Sequence, residues 1–86
     1  LQSRAIFRSR RNDLDGALAD IDRGLRLDPS YAPSWNLRGR VKALKRDIPG
    51  AIADYERYLV LAPDASEAAG VREWIAAARR AESTAR

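Results

Sequence analysis

The sequence predicts an all-α chain, a stacked array of helix-turn-helix repeats with five helices in 86 residues. Three observations predict it. Slid on itself by 34 residues, the chain sets residues 1–29 against residues 35–63, and ten of the 29 pairs are identical. Chance gives about two. The identities are Arg4/Arg38, Asp13/Asp47, Gly16/Gly50, Ala17/Ala51, Ala19/Ala53, Asp20/Asp54, Arg23/Arg57, Leu25/Leu59, Leu27/Leu61 and Pro29/Pro63. Within each copy, apolar residues recur at spacings of three and four, the period of a helix with one buried face. Composition agrees, with 16 Ala and only six aromatic residues, a mixture that favours closely packed helices.

The elements follow in order. Residues 1–30 make a partial first repeat that lacks its start. Its first helix is expected over Gln2 to Arg11. Its second carries Leu14, Ala17, Leu18, Ile21 and Leu25 on one face, with Asp13 where an N-cap is needed and Pro29 past its end. Residues 31–64 make a full repeat. Its first helix runs from about Ala32 to Lys45 with two apolar stripes: Leu37, Val41 and Leu44, and Trp35, Gly39 and Ala43. Two stripes imply packing on two sides. Its second helix carries Ile48, Ala51, Ile52, Tyr55 and Leu59, capped by Asp47, with Pro49 in the first turn and Pro63 as the stop. A closing helix is expected over residues 65–82, opened by a capping box of Asp64 and Glu67. Its apolar face is Val71, Trp74, Ile75 and Ala78, and Arg72, Arg79 and Arg80 stay wet. Residues 83–86 are expected to fray.

Chemistry has few places to reside. With no Cys and no His, thiol catalysis, Cys/His zinc sites, disulfides and the usual general base are excluded. Ser3, Ser9, Ser34 and Ser66 have no His to activate them. The run Asp13-Leu14-Asp15-Gly16 fails as a calcium loop, because Arg11 stands at the first ligand place and Asp22 at the last. Asp20/Asp22 and Asp54/Glu56 are two apart and do not share a helix face. Asp20 with Arg23, and Asp54 with Arg57, are expected as exposed pairs. The five Gly are scattered and form no phosphate loop. The chain is expected to be no enzyme and to hold no cofactor or metal. No apolar run approaches the roughly 18 residues of a membrane span, no signal peptide is visible, and a soluble chain is expected. Leu1 in place of Met suggests a piece of a longer protein.

Charge is sorted by segment. Residues 1–11 sum to +4, 12–30 to −3, 31–46 to +5, 47–67 to −4 and 68–86 to +2, for the total of +4. The first helix of each repeat is therefore basic and the second acidic.

A 34-residue unit with Trp35, Gly39 four residues on, Ala51 and Tyr55 beyond, and Pro63 at its end resembles the tetratricopeptide repeat, and Ala5, Ala17, Ile21 and Pro29 carry the resemblance in the first copy. It covers about residues 1–82. One departure stands out: where the family has large apolar or aromatic residues around the Gly, this chain has Arg38 and Lys42, and Arg4 and Arg8 in the first copy. The resemblance implies a right-handed array whose first helices line a concave groove, here a basic one, and a role in protein–protein interaction. It implies recognition of a protein partner through an acidic peptide segment or a C-terminal carboxylate. Asn36 and Arg40 are the candidate contacts, with Gln2, Ser9 and Arg10 as rough counterparts in the first copy. The family's chaperone-binding clamp spans three repeats and does not fit. The stretch from Ala53 to Arg80 also resembles repeat tails of bacterial multidomain proteins, including transglutaminase-like ones.

Other readings stay open. The sorted charges pair between helices and serve only the array, the chain being a structural C-terminal cap. More distantly, the Arg-rich helices bind RNA or phosphate, although they interleave only Phe7 and Trp35. The truncated first repeat leaves Ile6 or Phe7 uncovered, so self-association through the N-terminal end is expected.

Overall fold

The computed structural model describes residues 11–85, with side chains over 13–83. Those residues form four helices: α1 (Arg11–Leu27), α2 (Ala32–Leu44), α3 (Ile48–Leu61) and α4 (Ala68–Ala85). Among the described residues there is no strand. The described chain thus has four helices where five were expected. The remaining helix, expected over Gln2 to Arg11, falls on residues 1–10, outside the described residues with Gln2, Ser9 and Arg10, and Arg11, expected at its end, belongs to α1. α2 packs most extensively on α3, with α1 against α2 and α4 against α3.

Local chemistry sets the boundaries. After α1, the Asp28 carboxylate accepts from the Ser30 backbone N–H (3.2 Å) and hydroxyl (2.9 Å), which fixes the turn. Trp35 Nε1 donates to the Pro29 carbonyl at 2.8 Å and ties the start of α2 to that turn. α2 ends with Arg46 N–H on Ala43 O and Asp47 N–H on Lys42 O. This bonding pattern uses a left-handed residue, here Arg46 with φ 68°. Asp47 caps α3 as expected, accepting from Gly50 N–H at 3.1 Å, and Pro49 lies in the first turn. A Cβ on Gly50 would meet that carboxylate as it now lies, so the Asp47 side chain would have to shift to admit one.

Three expectations about ends are corrected. Asp13 lies within the first described turn of α1, not ahead of it. The box of Asp64 and Glu67 does not form. α4 begins at Ala68 after further turns, and Glu67 Oε1 accepts from the Tyr58 hydroxyl at 3.2 Å instead. α4 also continues to Ala85, beyond the Glu82 end expected for it.

The core lies between α3 and its neighbours. Ala51, Ile52, Tyr55, Tyr58, Val71 and Ile75 are buried, with Trp35, Ala43, Ile48, Leu59, Trp74 and Ala78 half-buried around them. Ala51 is fully covered, as a small residue at a close helix crossing must be. The second small residue at that crossing is Gly39: a Cβ there would lie 2.8 Å from the Tyr55 ring. Val71 and Ile75 anchor α4, each burial contributing about 1.5–3 kcal/mol. One predicted stripe fails. Val41 is buried, but Leu37 and Leu44 are 48% and 69% exposed. Tyr58, late in its helix, is buried, whereas Tyr31 is exposed.

Candidate functional site

Arg38 and Lys42, the two cations in apolar places, join three helices. The Arg38 guanidinium from α2 grips Asp54 of α3 with both arms, Nε to Oδ2 and Nη2 to Oδ1, each 2.9 Å. Its third nitrogen, Nη1, donates to Asp22 of α1 at 2.7 Å. Lys42 Nζ lies 3.2 Å from Asp54 Oδ2. The Asp54 side chain is only 4% exposed. Its hydrogen bond is the largest influence holding the Arg38 pKa well above its ordinary value. Burial opposes this, and Asp22 adds to it. Arg38 also stacks on Trp35, its carbon 5.0 Å from the ring centroid, with Arg57 6.0 Å from the same centroid.

The expected exposed pair of Asp54 with Arg57 is therefore wrong, because Asp54 is buried on Arg38 and Lys42. Asp20 and Arg23 do form an exposed pair at 4.0 Å. Lys45, which follows the last residue of α2, pairs with Asp15 of α1, and Arg79 of α4 with Glu56 of α3. The alternation of basic and acidic helices is thus consumed largely by bonds between neighbours. A signal for the missed network was present: Arg38 and Asp54, sixteen apart, recur together as Arg4 and Asp20.

Among the cations of α2 and its following turn, Arg40 and Arg46 have no ion pair with any described residue. Arg40 and Asn36, one helical turn apart, do line one cleft of about 350 Å³ between α2 and α4. Its wall is Tyr55, Val71 and Trp74, and its far rim is Ser66, Glu67 and Gly70. The rings of Tyr55 and Trp74 meet edge to face, 5.0 Å between centroids at 74°. Burial pushes the Tyr55 phenol up, and the nearby Arg40 charge pulls it partly back. The cleft thus offers one cation, one amide, an apolar wall and one carboxylate. Trp35 and Trp74, both expected on apolar faces, are half-buried, and Trp74 lines this cleft.

No group of three or more carboxylates among the described residues is placed to hold a metal. No described helix is long and apolar enough to cross a membrane. The helical pairs, the crossing of Gly39 on Tyr55, and a tetratricopeptide repeat model matching residues 4–76 agree. The chain belongs to the tetratricopeptide repeat family. Tetratricopeptide repeats are in general non-enzymatic scaffolds that mediate protein–protein interaction. No curated protein and no solved structure matches the chain.

Proposed function

We propose that this tetratricopeptide repeat chain is a protein-docking module whose α2–α4 cleft takes a segment of a partner protein. The observation that carries the reading is the meeting of Asn36 and Arg40 over the wall of Tyr55, Val71 and Trp74. Arg40 offers a fork of donors that holds no carboxylate among the described residues, so it is open to a carboxylate of the partner. Asn36 can bond a peptide group, and the wall accepts an apolar side chain. Glu67 on the opposite rim disfavours a run of acids. The ligand is therefore one carboxylate beside an apolar residue, as at an acidic peptide with a free C-terminus, rather than a polyanion.

Such a contact is weak, with Kd in roughly the micromolar to millimolar range, because one exposed charge pair contributes about 1 kcal/mol or less. NMR titration with such a peptide tests it. Shifts are expected at Asn36, Arg40, Val71 and Trp74. Arg40→Glu should weaken binding about five- to tenfold, while Arg26→Glu on exposed α1 carries the same charge change without the effect. Shifts mapping elsewhere, or equal effects of the two reversals, overturn the reading.

A structural capping role is the second reading. It is favoured by Glu73 of α4, which stands 34 residues after Gly39 and puts an exposed carboxylate where the previous crossing needs a hydrogen. Binding of RNA or phosphate loses most of its support, because Arg38, Lys42 and Lys45 are engaged by carboxylates.

A further inference from the structure

α2 and α4 correspond in the 34-residue register, yet they end differently. α2 stops at Leu44, and Asp47 and Pro49 then open α3. The corresponding residues of α4 are Ala81 and Ser83, a strong helix former in place of the cap and no proline. α4 therefore passes Ala78, the counterpart of Leu44, and runs on to Ala85, about two further turns.

Those turns stand beside the start of α3. Between them lies a second cleft of about 460 Å³, lined by Ile48, Trp74, Ala77, Ala78, Ala81 and Glu82. Ile48, Trp74 and Ala78 are half-buried against the core, while Ala77, Ala81 and Glu82 are exposed. The small alanines leave room for a large apolar side chain of another molecule.

Trp74 belongs to both clefts, so one apolar wall continues along α4 from Val71 to Ala81. The two ends of that wall carry opposite charge. Arg40 stands at one and Glu82 at the other, and neither has an ion pair with a described residue. Glu67, across the first cleft, accepts from the Tyr58 hydroxyl. The first cleft is centred near Gly70, and from there to Glu82 is about 18 Å along the helix. An extended peptide covers that span in about five residues.

We propose that the joined clefts take an extended C-terminal segment of a partner protein in one direction: its carboxylate at Arg40, a large apolar side chain in the second cleft, and a Lys or Arg about five residues before the C-terminus at Glu82. The proposal rests on the reading of the α2–α4 cleft as a carboxylate seat, and it adds the direction of the bound chain and the place of its cation. The reversed segment sets a carboxylate against Glu82 and a cation against Arg40, so both ends reject it.

NMR titration of the 86-residue chain with three acetylated peptides of about eight residues reads the result. The reference peptide has Leu beside a free C-terminus and Ser elsewhere. The second adds a Leu about three residues, and a Lys about five residues, before the end. The third replaces that Lys with Asp. The second should bind about tenfold more tightly than the reference and shift Ile48, Ala77 and Ala81. The third should bind about threefold or more weakly than the second. Glu82→Lys should reverse the preference between the second and third peptides and leave the reference affinity unchanged. Circular dichroism melts verify that this exposed substitution leaves the fold intact. If the reference shifts Arg40 and the second peptide gains nothing, this proposal falls and the carboxylate seat stands. If no peptide shifts Asn36 or Arg40, both fall. A preference that survives Glu82→Lys also overturns the proposal. So do concentration-dependent shifts at Ala77 and Ala81 in the chain alone, which mean that a second copy fills the cleft.

Discussion

Arg38→Met tests whether the three-helix ion network holds the array together. The substitution keeps much of the aliphatic stem and removes the fork. Asp54, with its side chain 4% exposed, then keeps only Lys42 at 3.2 Å. Breaking a buried pair by removing one partner costs about 3–5 kcal/mol, and the remaining lysine places this case at the lower end, about 3 kcal/mol. Asp54→Leu strands less: Arg38 retains Asp22 at 2.7 Å, and the Arg38 and Lys42 side chains are 21% and 23% exposed. Its cost is about 1–2 kcal/mol, since both cations reach water. In the double variant Met and Leu pack together and Lys42 turns outward, for a total of about 2 kcal/mol rather than the sum of about 4–5. Urea unfolding of the four proteins with a common m-value measures the cycle. By melting, Arg38→Met should fall on the order of 10–20 °C. Single effects that add to within about 0.5 kcal/mol, or an Arg38→Met cost below about 1 kcal/mol, refute the reasoning.

Two further outcomes are expected from single sites. Gly39→Ala should destabilise by about 1–3 kcal/mol, because its Cβ meets the buried Tyr55 ring at 2.8 Å. Gly24→Ala in α1, with nothing within 4 Å, should stabilise by about 0.5–1 kcal/mol, and denaturant melts give both signs. Tyr58→Phe should cost about 0.5–1.5 kcal/mol at neutral pH through loss of the bond to Glu67. Burial first, then the Glu67 charge and hydrogen bond, raise the Tyr58 phenol above its ordinary value. Its stabilisation is therefore complete below about pH 10 and lost as pH rises through the folded value, so the variant's stability should decline less steeply in alkali.

The fold was legible because its determinants are local and repeated. Asp47 and Pro49 set the start of α3 through bonds within one turn, and the 34-residue identity is a property of the chain alone. The pairing of Asn36 with Arg40 in one cleft was legible too, since residues four apart share a helix face. The faces were harder. Leu37 and Val41 read alike in the periodicity, yet one is 48% exposed and the other buried, because exposure depends on which neighbour covers a helix. Asp54 was misread for the same reason. Its sequence neighbour Arg57 is three residues away, while its actual partner Arg38 is sixteen away and comes alongside only once α2 folds back on α3.

Partners brought together by folding also decide the field at the surface. A helix segment of +5 suggests a strong positive field only when its charges face water alone. Here it lies beside segments of −3 and −4, and at the bonds to Asp22, Asp54 and Asp15 the local field cancels. Among the cations of α2 and its following turn, the charges that these pairs do not use are those of Arg40 and Arg46, and Arg40 lines the α2–α4 cleft. In the full repeat an arginine at the Arg38 place is bound by the helix before and the helix after. Neighbouring helices joined by ion pairs as well as by an apolar core have their register fixed by the position of each carboxylate, as Asp22 and Asp54 fix it on the two sides of Arg38.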